Sequence, residues 1–214
     1  MRETHLFSCI LAISISINVE ARDFPIPDAS ITISLPEPWR PIDSAIVKAS
    51  NDDMLRTRPE TTTRYITGFT RGEVPAGHDI GTEYIWIQRT PAAMTPEQLL
   101  SLIPKTIEKH KKTLDDLLKK DIQAFDFATP YFDQKTGLVV MPSSSTRANG
   151  QKILGVAYLL PLRSELVSIA VESSPDRANA VFTEAHIAVS SLKISEDAKP
   201  TRSWREKLLQ LLGK

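Results

Sequence analysis

Two stretches, Ile153-Leu-Gly-Val-Ala-Tyr-Leu-Leu160 and Leu166-Val-Ser-Ile-Ala-Val171, are apolar at odd and even positions alike. Short runs of this kind, rich in branched residues, suit strands that are covered on both faces. Pro161 and the polar turn Arg163-Ser164-Glu165 separate them, which predicts an antiparallel hairpin at the centre of a sheet. After Pro175 and Asp176 the period changes. Ala178, Val181, Phe182, Ala185, Val189 and Leu192 recur at three and four residues, so a helix is expected to lie on that hairpin. His186 falls on the flank of the stripe and reads as a boundary histidine, because no second ligand stands at helical spacing from it.

Upstream, Ile31-Thr-Ile-Ser-Leu35 alternates and stops at Pro36, the pattern of a half-buried strand. Trp39 follows and is expected to cap one end of the core. Ala45 to Ser50 is a second candidate strand, with Asn51-Asp52-Asp53 as a polar loop after it. Those adjacent carboxylates lack the spaced oxygen ligands of a calcium loop and read as a solvated turn. Arg64 to Thr70 and Glu83 to Gln88 form the next strand pair, with Tyr84 and Trp86 on one face and Ile85 and Ile87 on the other. Thr95-Pro96-Glu97-Gln98 is a helix start with a capping box. Leu99, Ile103, Ile107, Leu114 and Leu118 then make one stripe, opposite Lys105, Lys109, Lys112 and Lys119. Pro104 should kink or divide this second covering helix. His110 lies on the apolar stripe and reads as a partly buried neutral imidazole. Ile122 to Ala128 and Leu138 to Met141 are further strands, joined through turn residues in Tyr131 to Gly137. Ser143 to Thr146 lacks the glycines of a nucleophile elbow and reads as a polar strand end or loop.

The two ends carry different signals. Met1 to Ala21 reads as a secretory signal peptide: Arg2, an apolar region from Leu6 to Val19, and a small-residue cleavage site at Val19-Glu20-Ala21. A buried first strand is the alternative. Ser195 to Thr201, with Pro200, reads as a linker. Beyond it Trp204, Leu208, Leu211 and Leu212 line one side of a short amphipathic helix, with Arg202, Arg205, Lys207 and Lys214 around the rest. A helix so short needs a surface to lie on, and that surface is its own domain, a partner protein or, through weak and salt-dependent contact, a membrane. The expected division is therefore a signal over residues 1–21, one domain over 22–196, and a linker with a C-terminal helix over 197–214.

Composition narrows the function classes. Lys plus Arg and Asp plus Glu number 26 each in 214 residues, so no global field favours nucleic acid. The single cysteine, Cys9, lies within the signal; a mature chain from Arg22 would hold no thiol, which suits a bacterial periplasm or a secreted protein without disulfides. No catalytic, metal or cofactor motif is recognised. The densest group of potential ligands is Glu73, His78 and Asp79 in the loop from Arg71 to Thr82, but their spacing is irregular.

A first strand ending at Leu35-Pro36 before Trp39, a strand group, a covering helix, a second strand group and a last helix running into Ser190-Ser191-Leu192-Lys193-Ile194 resemble the Mog1/PsbP-like superfamily over about Phe24 to Glu196. The resemblance implies an α+β fold, an antiparallel sheet sandwiched between helices. It also implies proteins that act by contact rather than by catalysis: one group binds a small GTPase and the plant group assists photosystem II. No functional residue carries over by motif. The expected function is a non-catalytic exported binding or accessory protein that contacts an envelope protein. Its alternatives are a metal or small-ligand binder or hydrolase around the His78 loop, and a peripheral membrane-surface protein using the Trp204, Leu208, Leu211 and Leu212 face.

Overall fold

A computed structural model describes residues 21–72, 83–118 and 122–199, with the side chains of residues 109–118 left out of the description. The strands are β1 (Ala21–Ile26), β2 (Ile31–Pro36), β3 (Trp39–Pro41), β4 (Arg64–Arg71), β5 (Tyr84–Thr90), β6 (Ile122–Phe127), β7 (Tyr131–Asp133), β8 (Leu138–Arg147), β9 (Lys152–Pro161), β10 (Leu166–Ser173) and β11 (Lys193–Ile194). The helices are α1 (Ser44–Thr57), α2 (Pro96–Leu118) and α3 (Ala178–Ser190). An eight-stranded sheet runs β3-β4-β5-β10-β9-β8-β6, with β7 paired to β8 beside β6. Its described pairings are antiparallel, and the β9–β10 hairpin lies near the middle, as the two-sided apolar runs require.

Each face has its own cover. Phe69, Ile85, Ile87, Tyr158, Leu160, Val167, Ile169 and Val171 face one side, where they pack with Val181, Ala185, Ala188 and Val189 of α3. The same core includes Ile31, Ile33 and Leu35. These belong to a separate three-stranded sheet, β1-β2-β11, so the alternating strand at Ile31 extends the cover rather than the main sheet. The opposite face is shared. Under α1, Ile42 and Val47 pack with Trp86, and under α2, Leu99 packs with Val139 and Leu159.

Ala45 to Ser50, expected as a strand, is the first half of α1. Asp43 caps it, accepting from the Ala45 N–H at 2.7 Å. Buried Val47 and Met54 stand two turns apart on one side, a repeat that a six-residue window cannot show. Asn51 and the paired aspartates thus lie on a helix rather than in a loop. Asp52 pairs with Lys48 one turn back at 2.9 Å and Asp53 pairs with Arg56. Asn51 turns inward. Its amide donates to the Tyr65 carbonyl at 2.9 Å and its oxygen accepts from the Tyr65 N–H at 2.8 Å. That clamp sits where the β4–β5 register slips between Tyr65 and Thr67, and it gives the Tyr65 N–H and carbonyl each a partner.

Helix α2 begins as the capping box predicts, with the Gln98 N–H donating to Thr95 Oγ1 at 3.3 Å and the Thr95 N–H to Gln98 Oε1 at 2.8 Å. It continues through Pro104 as one helix. At the C-terminal end, the residues expected to form a linker stay on the domain as far as Lys199. Ser195 donates its N–H to Ser30 O at 3.0 Å, the Arg163 N–H donates to Ala198 O at 3.0 Å, and Ala198 packs on the main core.

Trp39 is buried, as expected, and its indole N–H donates to Glu184 Oε2 on α3 at 2.8 Å. Arg71 grips the same carboxylate through Nε and Nη2, both at 3.1 Å. Arg71 also reaches Glu83 at 3.4 Å, and Arg177 meets Glu83 at 3.3 Å. A two-pronged arginine–carboxylate contact fixes orientation as well as distance, so this network sets how α3 lies on the β3–β4 end of the sheet.

A Cβ at Gly68 would come within 2.7 Å of the Trp86 ring and 2.8 Å of Ile42 Cδ1. Gly68→Ala should therefore cost about 1–3 kcal/mol through overpacking, read as a lower urea midpoint with an unchanged slope. Glu184→Ala should cost about 2 kcal/mol, the scale of lost hydrogen bonds to a charged group. Glu184→Gln, which keeps an acceptor for Trp39, should lose less in the same measurement.

Candidate functional site

The residues singled out as ligands or as a partner face lie outside the described structure. Glu73, His78 and Asp79 fall in residues 73–82, and Trp204, Leu208, Leu211 and Leu212 lie beyond Lys199; residues 1–20 of the signal expected over 1–21, and the His110 side chain, are outside it as well. His186 is half-buried on the flank of α3, its ring 6.5 Å from that of Tyr158. Among the described residues no three His, Cys, Asp or Glu side chains converge as a metal group, and no helix is long and apolar enough to cross a membrane.

Two places do bring chemistry together. The first is on the α1/α2 face of the sheet, where register aligns Tyr84 of β5, Glu172 of β10, Gly155 of β9 and Ser143 of β8 in one cross-strand row. The Tyr84 hydroxyl donates to Glu172 Oε2. No other hydrogen bond reaches this carboxylate among the described residues. Beside it Gly155 lets the Ser143 hydroxyl come close to the backbone: a Cβ there would meet Ser143 Oγ at 2.5 Å and Glu172 Cγ at 3.7 Å. Burial pushes the Glu172 carboxyl above its ordinary value, against the lowering effects of the Tyr84 hydrogen bond and the Arg147 charge. Burial, and then the charge of Glu172, push the Tyr84 phenol well upward. The pair is thus a carboxylate and a neutral phenol kept largely from water, able to accept from a donor or to hold a proton.

The second place is the β7 edge. Strand β7 pairs with β8 through Tyr131↔Val140 and Asp133↔Leu138, and among the described residues its other edge is unpaired. Asp133 builds the turn behind it. Its carboxylate accepts from the Lys135 N–H at 3.0 Å and the Thr136 hydroxyl at 2.7 Å, while the Gly137 N–H, from a residue at φ +73°, donates to its carbonyl at 2.8 Å. Burial alone would raise the Asp133 carboxyl, but these donors and His186 together hold it below its ordinary value. Phe132 turns inward to the α2 core. Tyr131 turns the other way, 52% exposed. Beside it the Tyr158 phenol is pushed up to about 12 by burial, with Tyr131 and Asp133 adding to the shift. The arrangement is a turn-braced hairpin that presents one aromatic side chain and a strand edge unpaired among the described residues.

Neither place was legible from motifs. Glu172 and Tyr84 stand 88 residues apart and meet only through the β5–β10 register. Tyr131 carried only a turn signal.

No family model matches the chain, and no curated protein sequence matches it. Solved structures do. The PsbP protein CyanoP of Synechocystis sp. PCC 6803 is similar at 12% identity with a TM-score of 0.46, covering 85% of this chain and 96% of that one. LpqN, a protein involved in cell envelope biogenesis of Mycobacterium tuberculosis, is similar at 12% identity and TM-score 0.45, covering 82% of this chain and 92% of that one. The Saccharomyces cerevisiae Ran-binding protein Mog1p is similar at 14% identity and TM-score 0.47, covering 82% and 96%. The eight-stranded antiparallel sheet with helices on both faces is the architecture that the resemblance to the Mog1/PsbP-like superfamily implies.

The raised Glu172 carboxyl makes stability depend on pH. A carboxyl held above its ordinary value binds more protons folded than unfolded, so stability falls as pH rises from about 4.5 through the folded value. Glu172→Gln should remove that loss. Its stability relative to the unsubstituted chain should be greatest at pH 7 and decline toward pH 4, measured by urea unfolding across that range.

Proposed function

We propose that this protein is a non-catalytic exported binding or accessory protein that works by contact with an envelope protein, and that the β7 edge with Tyr131 is its contact surface. The observation that carries the reading is a half-exposed tyrosine on a turn-braced edge strand whose outer backbone groups are unpaired among the described residues. Tyrosine supplies a large contact area at low entropic cost and is enriched among the residues that dominate interfaces. An open strand edge can add a partner strand through main-chain hydrogen bonds. Export is supported by the signal-like Met1 to Ala21 and by a lone cysteine that lies within it.

The test is a photo-crosslinking amino acid placed at Tyr131 of the full chain in cells, beside the same group at exposed Glu60. One discrete protein adduct is expected at position 131 and none at position 60. In the purified pair, Tyr131→Ala should weaken binding roughly tenfold or more, the range of an interface anchor. Equal labelling at the two positions, or none at 131, would reject the surface.

A small-ligand reading is favoured by the Glu172 carboxylate, which has one oxygen without a hydrogen bond among the described residues. A small amine or cation that raises the melting temperature of the unsubstituted chain but not of Glu172→Gln would support that reading over protein contact.

A further inference from the structure

The two covers of the α1/α2 face meet over the middle of the sheet. Ala170 of β10 packs on the α1 cluster of Ile42, Val47 and Trp86, whereas Ala157 of β9 packs on the α2 cluster of Leu99, Val139 and Leu159. These alanines are direct partners across the β9–β10 ladder. The seam between the two helices therefore runs along this hairpin, and its floor is two methyl groups that stay half-buried.

One row further along the same face, about 7 Å away, Glu172 stands opposite Gly155. Glu172 Cγ and Ser143 Oγ lie 3.7 and 2.5 Å from the point a Cβ on Gly155 would occupy, so the two side chains are neighbours over the glycine. Tyr84 donates to one Glu172 oxygen and fixes the carboxylate. The other oxygen and the Ser143 hydroxyl have no hydrogen bond among the described residues. Both side chains are half-buried, where an unmade hydrogen bond is costly and a guest that supplies donors is stabilised. The guest must also be positive. Burial raises the Glu172 carboxyl, and an opposite charge beside it offsets that cost. One carboxylate oxygen and one hydroxyl are too few for a calcium ion, which takes about six to eight oxygens. A primary ammonium group, with its three N–H donors, meets both acceptors at once, and the alanine seam suits an apolar chain behind it.

Building on the small-ligand reading of Glu172, we propose that the α1/α2 seam binds a primary alkylammonium compound, its ammonium group held by Glu172 and Ser143 and its apolar chain lying over Ala170 and Ala157. Arg147, whose charge also reaches Glu172, weakens the attraction for a cation. A small probe of this class is accordingly expected to bind in roughly the millimolar range.

The test is an NMR titration of the full chain with n-butylammonium, tetramethylammonium and n-butanol at constant ionic strength, reading backbone amide shifts. Butylammonium should move the amides of Ser143, Gly155, Ala170 and Glu172. It should bind at least about tenfold more tightly than butanol, which lacks the charge, and than tetramethylammonium, which lacks N–H donors. Glu172→Gln should weaken butylammonium about tenfold or more, and Ser143→Ala, which removes only the hydroxyl, about threefold. Amide shifts that match the unsubstituted chain away from the seam show that each variant is folded. Equal binding of butylammonium and tetramethylammonium, with both lost in Glu172→Gln, overturns the ammonium assignment and leaves the small-ligand reading standing. Binding that neither substitution changes, or shifts confined to residues outside β8, β9 and β10, overturns the site. No binding of either cation overturns the proposal and the small-ligand reading together.

Discussion

On β10, Val167, Ile169 and Val171 point to the α3 side while Leu166 and Ala170 pack on the side of α1 and α2. On β9, Tyr158 and Leu160 oppose Ala157 and Leu159 in the same way. A hairpin apolar on both faces cannot lie at a surface, since each uncovered face would leave several branched side chains in water at a cost of about 1.5–3 kcal/mol apiece. Two covers are therefore obligatory, and the remaining elements are arranged to supply them. The α3 side takes one helix and the small β1-β2-β11 sheet. The other side takes α1 over β4 and β5 and α2 over β8 and β9. The Glu184 network then fixes the angle of α3, which hydrophobic contact alone would leave loosely defined because it is non-directional.

The two faces are not filled alike. The α3 side is built from large branched residues and Phe69, whereas the other side has Gly68, Gly155, Ala157 and Ala170 along its floor. Small residues there make room for the Trp86 ring under α1. Further along the same face they leave the row of Tyr84, Glu172 and Ser143, where polar groups replace packing. A carboxylate kept from water is tolerated because a phenol donates to it and Arg147 lies within electrostatic reach. The functional candidates thus occur where the covering scheme is incomplete: a polar row on the small-residue face and a short edge strand.

Sequence patterning went furthest where the physics is local. The two-sided runs at Ile153 and Leu166, the capping box at Thr95, the period through Ala178 to Leu192 and the opposed pairs Tyr84/Trp86 and Ile85/Ile87 each depend on residues within a few positions, and each is found as expected. It went wrong at Ala45 to Ser50, where a short apolar run fits either period and the deciding residues, Asp43 and Met54, stand outside it.

By itself, the chain's order of apolar and polar residues determined that a central antiparallel hairpin exists, that helices cover it, and which faces of most elements are buried. Only the tertiary structure decided that Ile31 to Leu35 joins a second sheet, that Asn51 clamps a bulge in β4, that Glu172 meets Tyr84, and that Tyr131 stands on a strand edge unpaired among the described residues. The reason is physical. Periodicity records which side of a segment avoids water, whereas the choice of partner across 14 residues for Asn51 or 88 for Tyr84 is made by strand register and layer packing, which no local window contains.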